Sequence, residues 1–162
     1  MSVKGGILVL IKFELNGRDV EAEVKSEMRL IDLLREVFDL TSVREGCGQG
    51  ECGACTVILD EQAVNSCLVL AAQVNGCQVT TTEGLKNGAE LDPIQKTFIS
   101  EGAIQCGYCT PGMIMSAKAL LSENKKPTLD DVKEALSGNL CRCTGYEKIF
   151  RAIHKVANQE NE

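Results

Sequence analysis

The chain opens in alternation. Residues 7–15 are mostly apolar and β-branched, Asn16-Gly17 is a hairpin signal, and Val20-Glu21-Ala22-Glu23-Val24 alternates apolar with charged residues, as a half-buried return strand does. Leu30, Leu33, Leu34 and Val37 then recur at helical spacing, which predicts a helix at about residues 30–38. A glycine-rich stretch follows. Beyond it, Thr56–Leu59 reads as a strand, Asp60-Glu61-Gln62 as a turn into Ala63-Val64, Leu68–Val74 as an apolar stretch, Asn75-Gly76 as a turn and Gln78–Thr82 as another strand. Strands, one helix and further strands make an α+β unit.

The texture changes after residue 82. Glu83–Glu90 holds two Gly and one Asn and reads as a linker, and helical signals accumulate beyond it. Asp92-Pro93 looks like an N-cap followed by proline at the first helical position, in a helix that carries Ile94 and Phe98 and stops near Gly102. Thr110-Pro111 repeats the device ahead of Met113, Ile114, Ala117, Leu120 and Leu121. Thr128-Leu129-Asp130-Asp131 is a capping box with Asp in place of Glu, leading to Val132 and Leu136, and Ser137-Gly138-Asn139 ends that helix. A last helix would hold Tyr146, Ile149, Phe150, Ile153 and Val156, with residues 159–162 as a polar tail. The division expected is residues 1–82, a linker over 83–91, and an all-α four-helix bundle over 92–162.

Charge narrows the partners. Residues 1–82 carry 7 Lys/Arg and 12 Asp/Glu, a balance of −5; residues 83–162 carry 10 and 11, a balance of −1. Neither half has a basic block, which argues against nucleic acid and against anionic lipid. The apolar run Ile7–Ile11 is too short to span a membrane, and it meets Lys12 and Glu14 with no small-residue cleavage site. Aromatic residues are 4 % with no Trp, so the interior rests on aliphatic side chains, and small cores of that kind gain from metal sites. Nine cysteines, an odd number, in a chain longer than disulfide scaffolds point to reduced thiols available to metal, and to a cytoplasmic protein.

Those cysteines carry the chemistry. Gly46–Cys55 places Cys47, Cys52 and Cys55 in the pattern Cys-x4-Cys-x2-Cys among four glycines, and Cys67 follows after eleven residues. Thiols this close do not readily form disulfides, yet they can converge on one inorganic centre, and the spacing is that of a plant-type [2Fe–2S] site. The second half holds Cys106-x2-Cys109 and, 31 residues on, Cys141-x-Cys143, each pair ahead of a predicted helix whose N-terminal amides and positive dipole end suit an anionic centre. On spacing alone this second set fits an iron–sulfur cluster, a structural zinc site or a thioredoxin-like pair.

Taken together, Glu45–Val57, Ser66-Cys67-Leu68, Gln105–Met113 and Gly138–Tyr146 resemble the iron–sulfur subunit of the molybdenum hydroxylases, the xanthine dehydrogenase, aldehyde oxidase and carbon monoxide dehydrogenase family. The resemblance covers about residues 7–157, with all eight ligand positions filled. It implies a β-grasp plant-type ferredoxin domain followed by a helical [2Fe–2S] domain. Cys47, Cys52, Cys55 and Cys67 would hold an outer cluster nearer a flavin, and Cys106, Cys109, Cys141 and Cys143 an inner one nearer molybdenum. It implies a large molybdopterin-binding subunit, a medium FAD-binding subunit, a possible dimer of the whole complex, and electrons leaving molybdenum singly. Gln105 would touch the molybdopterin from across the subunit interface. Xanthine or another purine is the first substrate suggested; aldehydes, N-heterocycles, aromatic acyl-CoA and carbon monoxide stay open. A free-standing ferredoxin-like carrier and a zinc-stabilised interaction module are the rival readings.

The remaining chemical residues read blandly. Cys77 has no neighbouring cysteine and reads as a packed thiol, His154 as a helix-face residue and Met113 as core. Arg142, between two candidate ligands, would offset cluster charge or grip a partner. Glu45 and Glu51 flank the thiolates. No catalytic triad, phosphate loop or dinucleotide fingerprint is present, and no residue of this chain is expected to be catalytic.

Overall fold

The computed structural model describes residues 7–159; Lys4 and the end of the polar tail lie outside the described residues. Among those described, strands β1 (Leu8–Leu15), β2 (Arg18–Lys25), β3 (Thr56–Leu59), β4 (Gln62–Asn65) and β5 (Gln78–Thr80) form one mixed sheet in the order β2-β1-β5-β3-β4. β1 and β5 are parallel, while the β1–β2, β3–β4 and β3–β5 pairs are antiparallel. The β1–β2 turn places Asn16 and Gly17 at φ of 53° and 75°, the two left-handed residues that a tight hairpin turn needs. Alternation does its expected work: Ile11, Phe13 and Leu15 face the core with Ala22 and Val24 opposite, while Leu8 and Leu10 stay exposed.

The helix expected at 30–38 is present in altered form. A short α-helical turn, Leu30–Asp32, widens into a π turn, Leu33–Val37, closed by the Phe38 amide donating to the Leu33 carbonyl at 3.3 Å. The extra residue carries Phe38, rather than Val37, back to the core. Phe38 meets Phe13 edge-on at 5.7 Å, and Val37 is 52 % exposed. Leu30, Ile31, Leu33 and Leu34 are fully buried against the sheet, completing the ferredoxin-like β-grasp unit.

A 3₁₀ turn, Thr82–Leu85, leads out of β5. It stays tied to what precedes it, because the Glu83 carboxylate accepts from the Ser42 hydroxyl at 2.5 Å, the Ser42 amide at 3.1 Å and the Thr81 hydroxyl at 2.6 Å. The helical part comprises α1 (Pro93–Ser100), α2 (Thr110–Glu123), α3 (Leu129–Ala135) and α4 (Glu147–Gln159). Asp92 caps α1 in a full capping box with Gln95, and Thr128 caps α3 with Asp131. Two expectations shift. The N-cap of α2 is Cys109 rather than Thr110, and Tyr146 precedes α4 at φ 66° rather than lying inside it. A second core of Ile94, Phe98, Met113, Ile114, Leu121, Val132, Ile149 and Ile153 is separate from the first.

Candidate metal centres

The first loop builds its environment from its own backbone. Gly48 and Gly50 take φ of 67° and 79°, which only glycine enters without strain, and the residues between and after them turn their amides inward. The Gln49 and Glu51 amides approach Cys47 Sγ at 3.4 and 3.3 Å. These donors, Gln49 foremost, bring the Cys47 thiol down to about 7. Cys55 and Cys67 instead sit on the core, 2 % and 4 % exposed, and burial pushes the Cys55 thiol up to about 11. Ser66 seats Cys67 opposite Cys55 by donating both its amide and its hydroxyl to the Cys55 carbonyl, at 3.3 and 2.8 Å. Cys47 and Cys52 interact through their side chains, as do Cys55 and Cys67, so the four thiols form an outer and an inner pair.

The second site also forms two pairs. Cys143 Sγ lies 3.6 Å from Cys106 Sγ, with both residues exposed, and Cys109 interacts with Cys141 deeper in. The amide of Tyr108 holds the Cys106 thiol below its ordinary range, and Cys106 in turn raises Cys143. Burial pushes Cys109 up to about 12. Burial acts on Cys141 in the same direction but is outweighed by Thr144, whose hydroxyl lies 3.0 Å from the sulfur, so Cys141 titrates low.

Among the described residues, no three His, Cys, Asp or Glu side chains close on a single-ion site. Two thiol pairs per site is instead the donor set of a [2Fe–2S] cluster, which takes two cysteines on each of two irons, and inward amides suit its anionic sulfur. Thiols must shed their protons to ligate, and one low-titrating member in each second-site pair and in the outer first-site pair lowers that cost.

The other candidates fall where their chemistry is plain. Gln105 is exposed beside Cys106, and Arg142 is exposed between Cys141 and Cys143. Glu45 is bound by Arg29 at 2.6 Å, which also grips Asp32 at 2.7 Å, and the guanidinium holds the Glu45 carboxyl below its usual range. Cys77 donates to the Gln73 carbonyl at 3.7 Å, and burial raises its thiol. Met113 is fully buried. His154 meets Asn158 on α4 and lines a groove of about 500 Å³ that contains no cysteine.

Several positioning groups were not visible in the sequence. The Tyr146 hydroxyl accepts from the Cys141 amide at 2.8 Å and donates to the Asn139 carbonyl at 3.3 Å, bracing the loop that carries two thiols. Its reading as a member of the last helix hid that role. Tyr108 Oη donates to the Glu45 carbonyl at 2.6 Å, while Arg44 stacks over its ring at 5.4 Å and donates to the Gly107 carbonyl. The aromatic residue between Cys106 and Cys109 was the available signal.

Residues 13–82 match the 2Fe-2S iron-sulfur cluster binding domain family, and residues 81–154 match the [2Fe-2S] binding domain family. The chain is 50 % identical over 145 residues to the nicotinate dehydrogenase small FeS subunit of Eubacterium barkeri, covering 90 % of this chain and 92 % of that one. It is 50 % identical over 151 residues to the nicotine 6-hydroxylase small subunit of Paenarthrobacter nicotinovorans, covering 93 % and 91 %. Among solved structures, quinoline 2-oxidoreductase from Pseudomonas putida 86 superimposes with a TM-score of 0.91 at 46 % identity, covering 95 % of this chain and 96 % of that chain.

Proposed function

Because this chain belongs to the iron–sulfur subunits of the molybdenum hydroxylase family, an oxidoreductase family whose subunits of this kind carry two [2Fe–2S] clusters, we propose that it conducts electrons between a large molybdopterin-binding subunit and an FAD-binding subunit or another acceptor. Each cluster, when bound, takes up and releases one electron at a time. The carrying observation is the arrangement of eight thiols as two sets of two pairs within one chain. Cys47, Cys52, Cys55 and Cys67 hold one cluster, and Cys106, Cys109, Cys141 and Cys143 the other. The division into residues 1–82 and 92–162, with a linker over 83–91, assigns one centre to each of the two units.

The surface around Cys106 and Cys143 supports a covering partner. Ile104, Tyr108 and Leu140 are 38 %, 48 % and 58 % exposed beside exposed thiols, a combination that a docked subunit would desolvate. On that face Gln105 presents a neutral amide to the pterin of the large subunit. Substrate binding and catalysis lie on that subunit. The substrate class is an N-heteroaromatic ring, as the names of the nicotinate, nicotine and quinoline proteins suggest; xanthine is a member of the same class. No described helix is long and apolar enough to cross a membrane, and the reduced thiols fit a cytoplasmic complex.

Purification from the native source tests the reading. Co-elution with a molybdenum-containing subunit is expected, with about four iron and four sulfide per chain. Activity eluting with a lone 17.5 kDa species would make the chain a free carrier, and zinc in place of iron would make it an interaction module. Purine, nicotinate and aldehyde assays on that complex decide the substrate class.

A further inference from the structure

The two sites are joined at one buried point. The segment before Cys141 reaches into the first loop: the Leu140 amide donates to the Cys52 carbonyl at 2.9 Å, and Asn139 Nδ2 donates to the Gly53 carbonyl at 3.0 Å and to Thr56 Oγ1 at 3.4 Å. Asn139 is 4 % exposed, and its Oδ1 accepts from Ser116 Oγ of α2 at 2.7 Å. Every polar atom of this amide therefore has a partner, and the partners come from the first loop, β3 and α2. The packing leaves no slack. A Cβ on Gly53 would overlap Asn139 Nδ2 and the Gly138 carbonyl, and a Cβ on Gly112 of α2 would overlap the Gly53 carbonyl. Gly53, next to the candidate ligand Cys52, is gripped from both sides, between Gly112 of α2 and the Gly138-Asn139 arm that leads to Cys141.

We propose that Asn139 is the positioning residue that locks the Cys52–Gly53 turn against the Cys141 arm and thereby fixes the separation and orientation of the two clusters. This rests on the two-cluster reading. A buried amide with both ends satisfied holds geometry in a way that an exposed contact does not, because breaking it strands donors and acceptors away from water. It makes the Cys52 carbonyl–Leu140 amide bond a persistent link between the two ligand sets. Neither Asn139 nor Ser116 is a ligand, so their loss leaves both donor sets chemically complete.

The test uses the assembled complex with Asn139→Ala and Ser116→Ala, with iron content measured first. Both variants are expected to retain about four iron per chain. In Asn139→Ala, amide exchange at Leu140 and Thr56 accelerates by at least about tenfold, because the bonds that protect those segments loosen. The spin–spin splitting between the two reduced clusters narrows or broadens relative to wild type, since dipolar coupling depends steeply on distance and angle. Ser116→Ala, which frees one end of the amide, shows the same changes at smaller size and decides the matter if Asn139→Ala fails to assemble. Unchanged exchange and unchanged splitting in a fully loaded Ser116→Ala and Asn139→Ala pair would overturn the clamp while leaving the two clusters standing. Zinc at either site in wild type would overturn the two-cluster reading and the clamp with it.

Discussion

The first site is local and the second is not. Cys47, Cys52 and Cys55 lie within nine consecutive residues, their amide donors lie among them, and Cys67 is seated by the adjacent Ser66. The second site joins two arms separated by 31 residues and held apart by α2 and α3. Its arms meet partly because each is bonded to the first loop: Gly107 and Tyr108 to Arg44 and Glu45, Asn139 and Leu140 to Gly53 and Cys52. A loop can encode a metal site alone, whereas a two-armed site borrows its convergence from tertiary contacts. Damage to the first site should therefore spread to the second, and damage to the second should stay there.

The largest break in that asymmetry comes from ligand removal. Cys106→Ser in the complex is expected to lower iron from about four to about two per chain and to leave one spectroscopic signal, that of the first loop. Electron delivery to an external dye falls by at least about tenfold if, as proposed, electrons pass through both clusters. Cys52→Ser is expected to lose the first cluster and to weaken the second as well. Equal and independent losses in the two variants would refute the dependence of the second site on the first.

Core truncation applies the same test without touching a ligand. Phe98 is fully buried in the helical core and Phe13 is 4 % exposed in the sheet core. Either residue changed to Ala costs about 3–5 kcal/mol in its own unit. Chelator challenge followed by iron analysis should show Phe98→Ala losing second-site iron alone, and Phe13→Ala losing iron from both sites. A smaller change, Tyr146→Phe, removes one hydroxyl that accepts from the Cys141 amide and donates to the Asn139 carbonyl. It is expected to cost about 1–2 kcal/mol and to speed second-site bleaching, with the first site unaffected.

The same contrast explains what the sequence could disclose. The hairpin at Asn16-Gly17, the capping box at Thr128 and the dense Cys47–Cys55 motif are all short-range signals, and the hairpin and the cap appear in the structure where the sequence pattern placed them. Within that motif the glycines bend the chain and the amides of Gln49 and Glu51 are presented to Cys47, a division of labour that spacing alone does not display. The π turn at Leu33–Val37 was hidden because Val37 and Phe38 are equally apolar, and only the position of Phe13 decides which turns inward. Asn139 looked like a helix stop, and its partners Gly53 and Ser116 lie far away along the chain, beyond the reach of any local pattern.

The smallest expected effect concerns the exit from the sheet unit. Burial alone would raise the Glu83 carboxyl, but the hydroxyls of Ser42 and Thr81 outweigh it, and the group titrates below the ordinary carboxylate range. A depressed carboxyl favours the folded, ionised form. Its contribution is therefore complete above the ordinary value and fades as pH falls through the lower, folded one. Glu83→Gln is expected to cost about 1 kcal/mol near neutral pH. Thermal unfolding of wild type and variant side by side should show that gap at pH of about 7 and its shrinkage below about 4, the common loss of iron in acid cancelling between them. Glu83 ties Ser42, ahead of the first loop, to the start of the chain that leads to the helices. If the first unit sets the second in place, the variant should unfold the sheet unit earlier without changing the iron content of either site at neutral pH. A gap that stayed constant across that pH window would remove the ionised carboxylate from the account and leave only the packing of the side chain.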